Sequence, residues 1–248
     1  MMQLKKYFFI LWKALYRKVL LFCLPLILIT FITKDQYVNF LGYNIGSKEK
    51  IFLKDNKKVV LIGMVHVGNY EFYTELDDNY SKCAKCLILR EGIGFDSDET
   101  ITYSELASSL GLVSQPRALF KYNYISADIH SDDLSEDTKD FLSLSLELIN
   151  SLSDFDNFSE VYTKLNDRFH SGIPKSIKYD IIDKRNQHLM SIFDLNSKHK
   201  NIIIPWGAAH LNDIEQELLK RGYELHSSSN RIVLNIPKSL LMLVGSFF

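Results

Sequence analysis

Cysteine is scarce, three in 248 residues, too few for the bridged framework of a small secreted domain, so folding must rest on an apolar core. With only 5 Pro and 11 Gly, no repeat or long low-complexity segment interrupts the chain. Neither sign of charge dominates: 29 Lys+Arg against 30 Asp+Glu leave a formal net charge of -1. Without a basic surplus to neutralise a phosphate backbone, nucleic acid is a poor partner. Walker loops and G-x-S-x-G elbows are missing, which leaves nucleotide binding and serine hydrolysis without motif support. What is present is 46% apolar and 24% charged residues, with 13 Tyr and 16 Phe. That composition suffices for one sizeable buried core and excludes disorder over most of the length.

One long apolar run stands out. Residues 19–33 read VLLFCLPLILITFIT, fifteen residues without a charge, preceded by Lys5, Lys6, Lys13, Arg17 and Lys18 and closed by Lys34 and Asp35. A helical span needs about 20 apolar residues, and snorkelling of Lys18 and Lys34 with an interfacial stretch from Tyr7 to Trp12 makes up the difference. Residues 1–35 therefore read as a single-pass transmembrane anchor. A cleaved signal peptide is the rival, although the small residues expected before a cleavage site are missing; an in-plane helix fits least, because no polar stripe continues past Lys18. The excess of basic residues before the run places the N-terminus inside and everything beyond about residue 35 outside the cytoplasm. Cleavage would make the same domain secreted. The closing run 240–248 (LLMLVGSFF) is too short to span and reads as a terminal strand or a segment packed on the domain or membrane surface.

Between these ends the pattern alternates. Strands are expected at 38–43, 51–53, 58–65 (KVVLIGMV), 86–89 (CLIL), 201–205, 223–226 and 231–236. Helices are expected at 70–81, at 103–110 with capping-box spacing from Thr102 to Glu105, as two amphipathic stretches over 131–169 broken near 153–157, at 176–195, and at 211–221 with Gly222 as the stop. The whole predicts an α/β domain over residues 36–248, a mixed sheet flanked by helices with a helical insertion at about 131–195. Such folds put their sites at strand-to-helix turns. The Ser/Asp-rich insertion reads as a solvated helical addition, with a lid as the alternative.

Two segments share one design: VVLIGMVHVG at 59–68 and IIIPWGAAHL at 202–211, each a buried strand, then Gly-x-x-His, then a helix. Gly63 and Gly207 suit a tight turn or a close approach, and His66 and His210 would point into the crevice above the sheet. Either histidine alone reads as a structural residue; the pair in one context reads as a site. Glu91, with Gly92, directly follows the CLIL strand, the position from which a carboxylate reaches such a crevice, although a surface ion pair with Arg90 is the plain alternative. Asp128 in YISADIH is similarly placed, or else a cap in an acidic loop. Arg185 and Asn186 are bland alone, but a buried Arg185 would need an anion such as Glu91 or Asp128. The remaining histidines, His130, His170, His188, His199 and His226, read as surface residues. Cys83 and Cys86 form a CxxC at a helix end rather than a helix start, which argues for chance or a local disulfide over redox catalysis.

Together GMVH, Glu91-Gly92, ADIH, Arg185-Asn186 and GAAH followed by LNDIEQELLKRGYEL resemble the TIKI/TraB family, over roughly residues 58–236. That group includes TraB, GumN-like proteins and the TIKI membrane-anchored proteases, with more distant kinship to erythromycin esterase and haem-binding ChaN proteins. The resemblance implies paired halves around a polar cleft and, for TIKI members, a divalent-metal-dependent peptidase activity. Met64 stands where the family often has Thr, and His130 where a second acidic residue is common.

Two imidazoles with one or two carboxylates would suit zinc, manganese or cobalt with an open position for water. On this reading His66 and His210 are ligands, Glu91 is ligand or general base, Asp128 is auxiliary, and Arg185 with Asn186 completes the catalytic set. The expected function is a membrane-anchored, metal-dependent hydrolase, a peptidase acting on a peptide or protein outside the cytoplasm. Two alternatives stay open: a non-catalytic module that captures a peptide or haem-like ligand, and a metal-independent esterase with His66 or His210 as base.

Overall fold

The computed structural model describes residues 38–41, 44–80, 82–92, 103–109, 111–116, 119–120, 123–151, 155–170 and 172–235. The expected anchor at 1–35, the closing run at 240–248 and the Thr102 cap lie outside them. Among the described residues no helix is long and apolar enough to cross a membrane.

The chain forms an α/β domain around a mixed, seven-stranded sheet. In chain order its strands are β1 (Val38–Leu41), β2 (Asn44–Lys54), β3 (Lys57–Met64), β5 (Cys86–Arg90), β7 (Tyr124–Ser126), β8 (Asn201–Gly207) and β9 (Glu224–Asn235). Two short strands, β4 (Val67–Gly68) and β6 (Val113–Ser114), pair separately. The helices are α1 (Tyr70–Tyr80), α2 (Ser104–Ser109), α3 (Glu136–Asn150), α4 (Phe155–Arg168), α5 (Lys175–Lys178), α6 (Arg185–Leu195) and α7 (Leu211–Lys220). A π-helical turn, Tyr179–Lys184, joins α5 to α6.

Strands β3, β8, β5 and β7 lie side by side in that order and all run parallel. β2 is antiparallel to β3, and β9 closes the other edge of β2. Period-two alternation explains the packing. Val59, Leu61, Leu87, Leu89, Ile202, Ile204 and Trp206 face one side, beneath Leu189, Met190 and Phe193 of α6 and Leu211, Ile214 and Leu218 of α7. Val60, Ile62, Met64, Ile88 and Ile203 face the other, beneath Phe72, Tyr73 and Leu76 of α1. Both faces are covered, so these strands read in the sequence as unbroken apolar runs.

β8 is inserted between β3 and β5, although it follows both in the chain. From the carboxyl end of β5 the chain leaves toward β7; from that of β8 it leaves toward β9 on the opposite side. That divergence is a topological switch point, where open α/β sheets form a crevice. Pro205 sharpens it. The β5–β8 ladder runs from Cys86↔Asn201 only to Ile88↔Ile203, whereas the β3–β8 ladder continues to Met64↔Gly207. Proline has no N–H to extend a ladder, so the sheet parts beyond Ile203 on that side.

Several expected boundaries change. The strand at 51–53 belongs to the eleven-residue β2. Expected strands 223–226 and 231–236 are one strand, β9. The 103–110 helix shortens to six residues. The 176–195 pattern is helical throughout, with the π-turn in its middle, and residues 131–195 form a helical addition between β7 and β8. Cys83 and Cys86 are joined by a disulfide in the turn between α1 and β5.

Candidate active site

Four parallel strands deliver the site from their carboxyl ends. His66 lies two residues past β3, Glu91 one past β5, Asp128 two past β7, and Gly207 ends β8 with His210 three residues on. Arg185 and Asn186 open α6, which lies across the sheet. Glu91, Asp128, Arg185, Asn186 and His210 thus form one connected cluster.

Arg185 is its hub. Its Nε donates to Asp128 Oδ1 at 2.9 Å, and its Nη2 donates to Asp128 Oδ2 and to Glu91 Oε1, each at 2.6 Å. Such fork-on-carboxylate pairing fixes direction as well as distance. Asp128, whose side chain has no solvent exposure, also accepts from the backbone N–H groups of Ile129 and Gly92 at 2.9 and 3.0 Å. Gly92 has φ +153°, a conformation nearly reserved for glycine, which lets its amide turn back to Asp128.

Glu91 is held from its other oxygen by the backbone N–H of Gly207. Residues two apart in a strand direct their N–H groups to the same edge, so Gly207 and Pro205 share the β5 side. Pro205 supplies no donor there, and the Glu91 side chain takes the next one. A Cβ on Gly207 would stand 3.1 and 3.2 Å from the two Glu91 oxygens, so any larger residue would press on the carboxylate. Gly63 has a comparable role against a different neighbour. Ser47 Oγ donates to the Gly63 carbonyl at 2.6 Å, and a Cβ there would come within 2.2 Å of that oxygen.

His210 is buried and gripped at both nitrogens. Asn186 Oδ1 lies 2.8 Å from Nδ1; since a carbonyl oxygen only accepts, Nδ1 carries the proton and Nε2 keeps its lone pair. That lone pair faces Arg185 Nη1 at 3.4 Å. Burial pushes the imidazole down to about 4, with the Glu91 charge opposing and Arg185 adding to the drop. His210 is therefore neutral at pH 7. Trp206 meets its ring edge-on. Asn186 Nδ2 and Trp206 Nε1 are buried without a hydrogen-bond partner among the described residues.

His66 differs. It is exposed and stacks on the Tyr103 ring, with centroids 4.8 Å apart and planes 7° from parallel. Its ring nitrogens meet no hydrogen-bond partner among the described residues. Desolvation lowers its pKa, the Glu91 charge raises it and Arg185 lowers it further, for a net decrease. Burial raises the Glu91 carboxyl, but Arg185, His210 and His66 together hold it below the usual range, so it is ionised. Burial also disfavours the Arg185 charge, and Glu91 and Asp128 more than restore it.

Can these residues share a metal ion? Arg185 engages Glu91, Asp128 and the His210 lone pair at once. Among the described residues no group of three or more His, Cys, Asp or Glu side chains is disposed to hold a metal. An ion shared by the expected ligands would have to displace Arg185 from at least one carboxylate in this arrangement. The arrangement itself is built around an arginine-clamped carboxylate with an open imidazole beside it.

Tyr103 is the member that sequence reading missed, because a tyrosine at a helix start carries no spacing signal. His130, by contrast, caps the short turn Ser131–Asp133, accepting from Asp132 N at 3.4 Å, outside the cluster. Comparison with protein-family models, curated proteins and solved structures finds no match.

Proposed function

We propose that this chain is a membrane-anchored hydrolase that cleaves an acyl bond, ester or peptide, in the crevice between β5 and β8. The observation that carries the reading is an exposed His66 within electrostatic reach of an ionised Glu91 that is itself fixed by Arg185 and the Gly207 amide. His66 takes a proton from water, and the Glu91 charge favours the imidazolium that results. Because Glu91 is already oriented, little reorganisation opposes that step. His210, buried and held at both nitrogens, orients Arg185 and Asn186 rather than exchanging protons with substrate. The resemblance to the TIKI/TraB family, with distant kinship to an esterase, is in keeping with hydrolysis. Basic residues ahead of the apolar run, and the Cys83–Cys86 disulfide, favour an anchored domain in an oxidising compartment outside the cytoplasm.

The metal-dependent peptidase remains the second reading, carried by His66 and Glu91, whose remaining lone pairs suit zinc, manganese or cobalt. It requires Arg185 to release at least one carboxylate. The test uses the full chain in detergent with p-nitrophenyl acetate and a fluorogenic peptide library, with chelator or with each metal added. Chelator-insensitive hydrolysis that disappears in His66→Ala and Glu91→Gln is the expected result. Activity abolished by chelator and restored by one metal selects the peptidase reading. Absence of hydrolysis under every condition overturns both and leaves a peptide- or haem-binding module.

A further inference from the structure

Tyr103 has no part in that proton transfer, yet it stacks on His66. It precedes α2, is half-buried, and presents its ring to His66 in a nearly parallel stack, 4.8 Å between centroids. Stacking of this kind covers one face of each ring and leaves the edges, where the imidazole nitrogens and the phenol oxygen lie, as the reactive borders. Both rings feel one carboxylate. Burial and then the Glu91 charge raise the Tyr103 phenol, while the same charge opposes the drop at His66. The phenol thus keeps its proton at neutral pH and can donate a hydrogen bond, from a ring stacked on the open imidazole.

We propose that Tyr103 is a further catalytic residue of this cleft, its ring setting the plane of His66 and its O–H donating to the substrate carbonyl oxygen as charge develops there. This rests on the hydrolase reading. In the step, water oxygen bonds to the carbonyl carbon while its proton passes to His66, and the carbonyl π pair moves onto the oxygen that Tyr103 faces. Collapse of that intermediate re-forms the carbonyl and breaks the bond to the leaving group. The leaving oxygen or nitrogen departs with the proton held by His66. No other reactant is needed. A plain hydrophobic wall would need only the ring, so the hydroxyl separates the two roles.

The full chain in detergent is assayed with p-nitrophenyl acetate. Removing one oxyanion donor lowers kcat by about 10²–10³-fold; Tyr103→Phe should show that fall with KM little changed, and Tyr103→Ala should lose more because the stack goes too. Unchanged kcat in Tyr103→Phe overturns the donor role. A second arm needs no turnover: in chain labelled with ring-¹³C tyrosine, the Tyr103 resonance should titrate at lower pH in Glu91→Gln than in wild type. An unmoved titration overturns the placement beside Glu91. A wild-type chain that cleaves neither p-nitrophenyl acetate nor any peptide of the library overturns the donor role together with the hydrolase reading, and the titration then separately reports whether the two groups share the cleft; where only a peptide is cleaved, the same variants are read on that peptide.

Discussion

The two Gly-x-x-His segments look interchangeable in the sequence and are not so in the fold. After β3 the chain passes His66 into the short strand β4 and only then into α1, so this imidazole stands at an open edge against Tyr103. After β8 it turns at once through residues 208–210 into α7, which carries His210 beneath Arg185 and Asn186. One histidine is exposed; the other is part of the buried frame. The glycines diverge likewise, Gly63 making room for Ser47 and Gly207 for Glu91. A repeated motif therefore supplies two positions, and what lies above each strand end decides their roles.

Arg185→Met strikes both halves at once and should have the largest effect. Removing one partner of a buried pair leaves Glu91 and Asp128 uncompensated, a loss of about 3–5 kcal/mol, measured by denaturant unfolding, with hydrolysis lost as well. A variant of unchanged stability would mean that the carboxylates are solvated.

His66→Ala and His210→Ala should then separate the histidines. The first should lower kcat by about 10²–10⁴-fold while leaving stability within about 0.5 kcal/mol. The second should lower stability, because it orphans Asn186 and opens a cavity. The reverse pattern would exchange their roles.

The pH dependence of unfolding sharpens the same contrast. His210 titrates at about 4 when folded, against its ordinary 6.5. Between those values the unfolded chain binds the extra proton, so stability is complete above about pH 6.5 and falls as pH drops toward 4, by roughly 3 kcal/mol at most. Glu91, lowered in the fold, adds a further loss at more acid pH with the same sign. His210→Gln should flatten the slope between pH 6.5 and 4, and an unaltered slope would show that another group carries it.

The smallest expected effect comes from the glycines. Gly63→Ala must displace Ser47 and should cost about 1–3 kcal/mol as local overpacking. Gly207→Ala should cost less stability but displace the Glu91 carboxylate, so its signature is lower kcat at nearly normal stability. Equal effects on both measures would remove the distinction between the glycines.

Much of the frame was legible in the sequence because burial on both faces leaves a plain signature. The runs KVVLIGMV, CLIL and NIIIP stand out for that reason, and β3, β5 and β8 lie where they were expected. β9 reads in the sequence as two strands because HSSSN, at 226–230, is exposed on an edge strand and carries no apolar alternation. Glu91 and Asp128 were legible as strand-end carboxylates, and the need of a buried Arg185 for such an anion followed from the cost of an unpaired charge. That Arg185 takes both of them, and the His210 lone pair besides, was not legible, because it depends on how α6 crosses the sheet.

By itself, the sequence determined which strands are buried, which side chains stand at their carboxyl ends, and that an apolar run with a basic lead precedes the domain. Those properties are local, set by the period of apolar residues and by the glycines that end the runs. Tertiary structure alone decided that β8 inserts between β3 and β5, that His66 is open while His210 is enclosed, that Arg185 occupies the centre of the expected ligand set, and that Tyr103 joins the cleft. Each is a contact between residues far apart in the chain, and no spacing along one strand or helix encodes it.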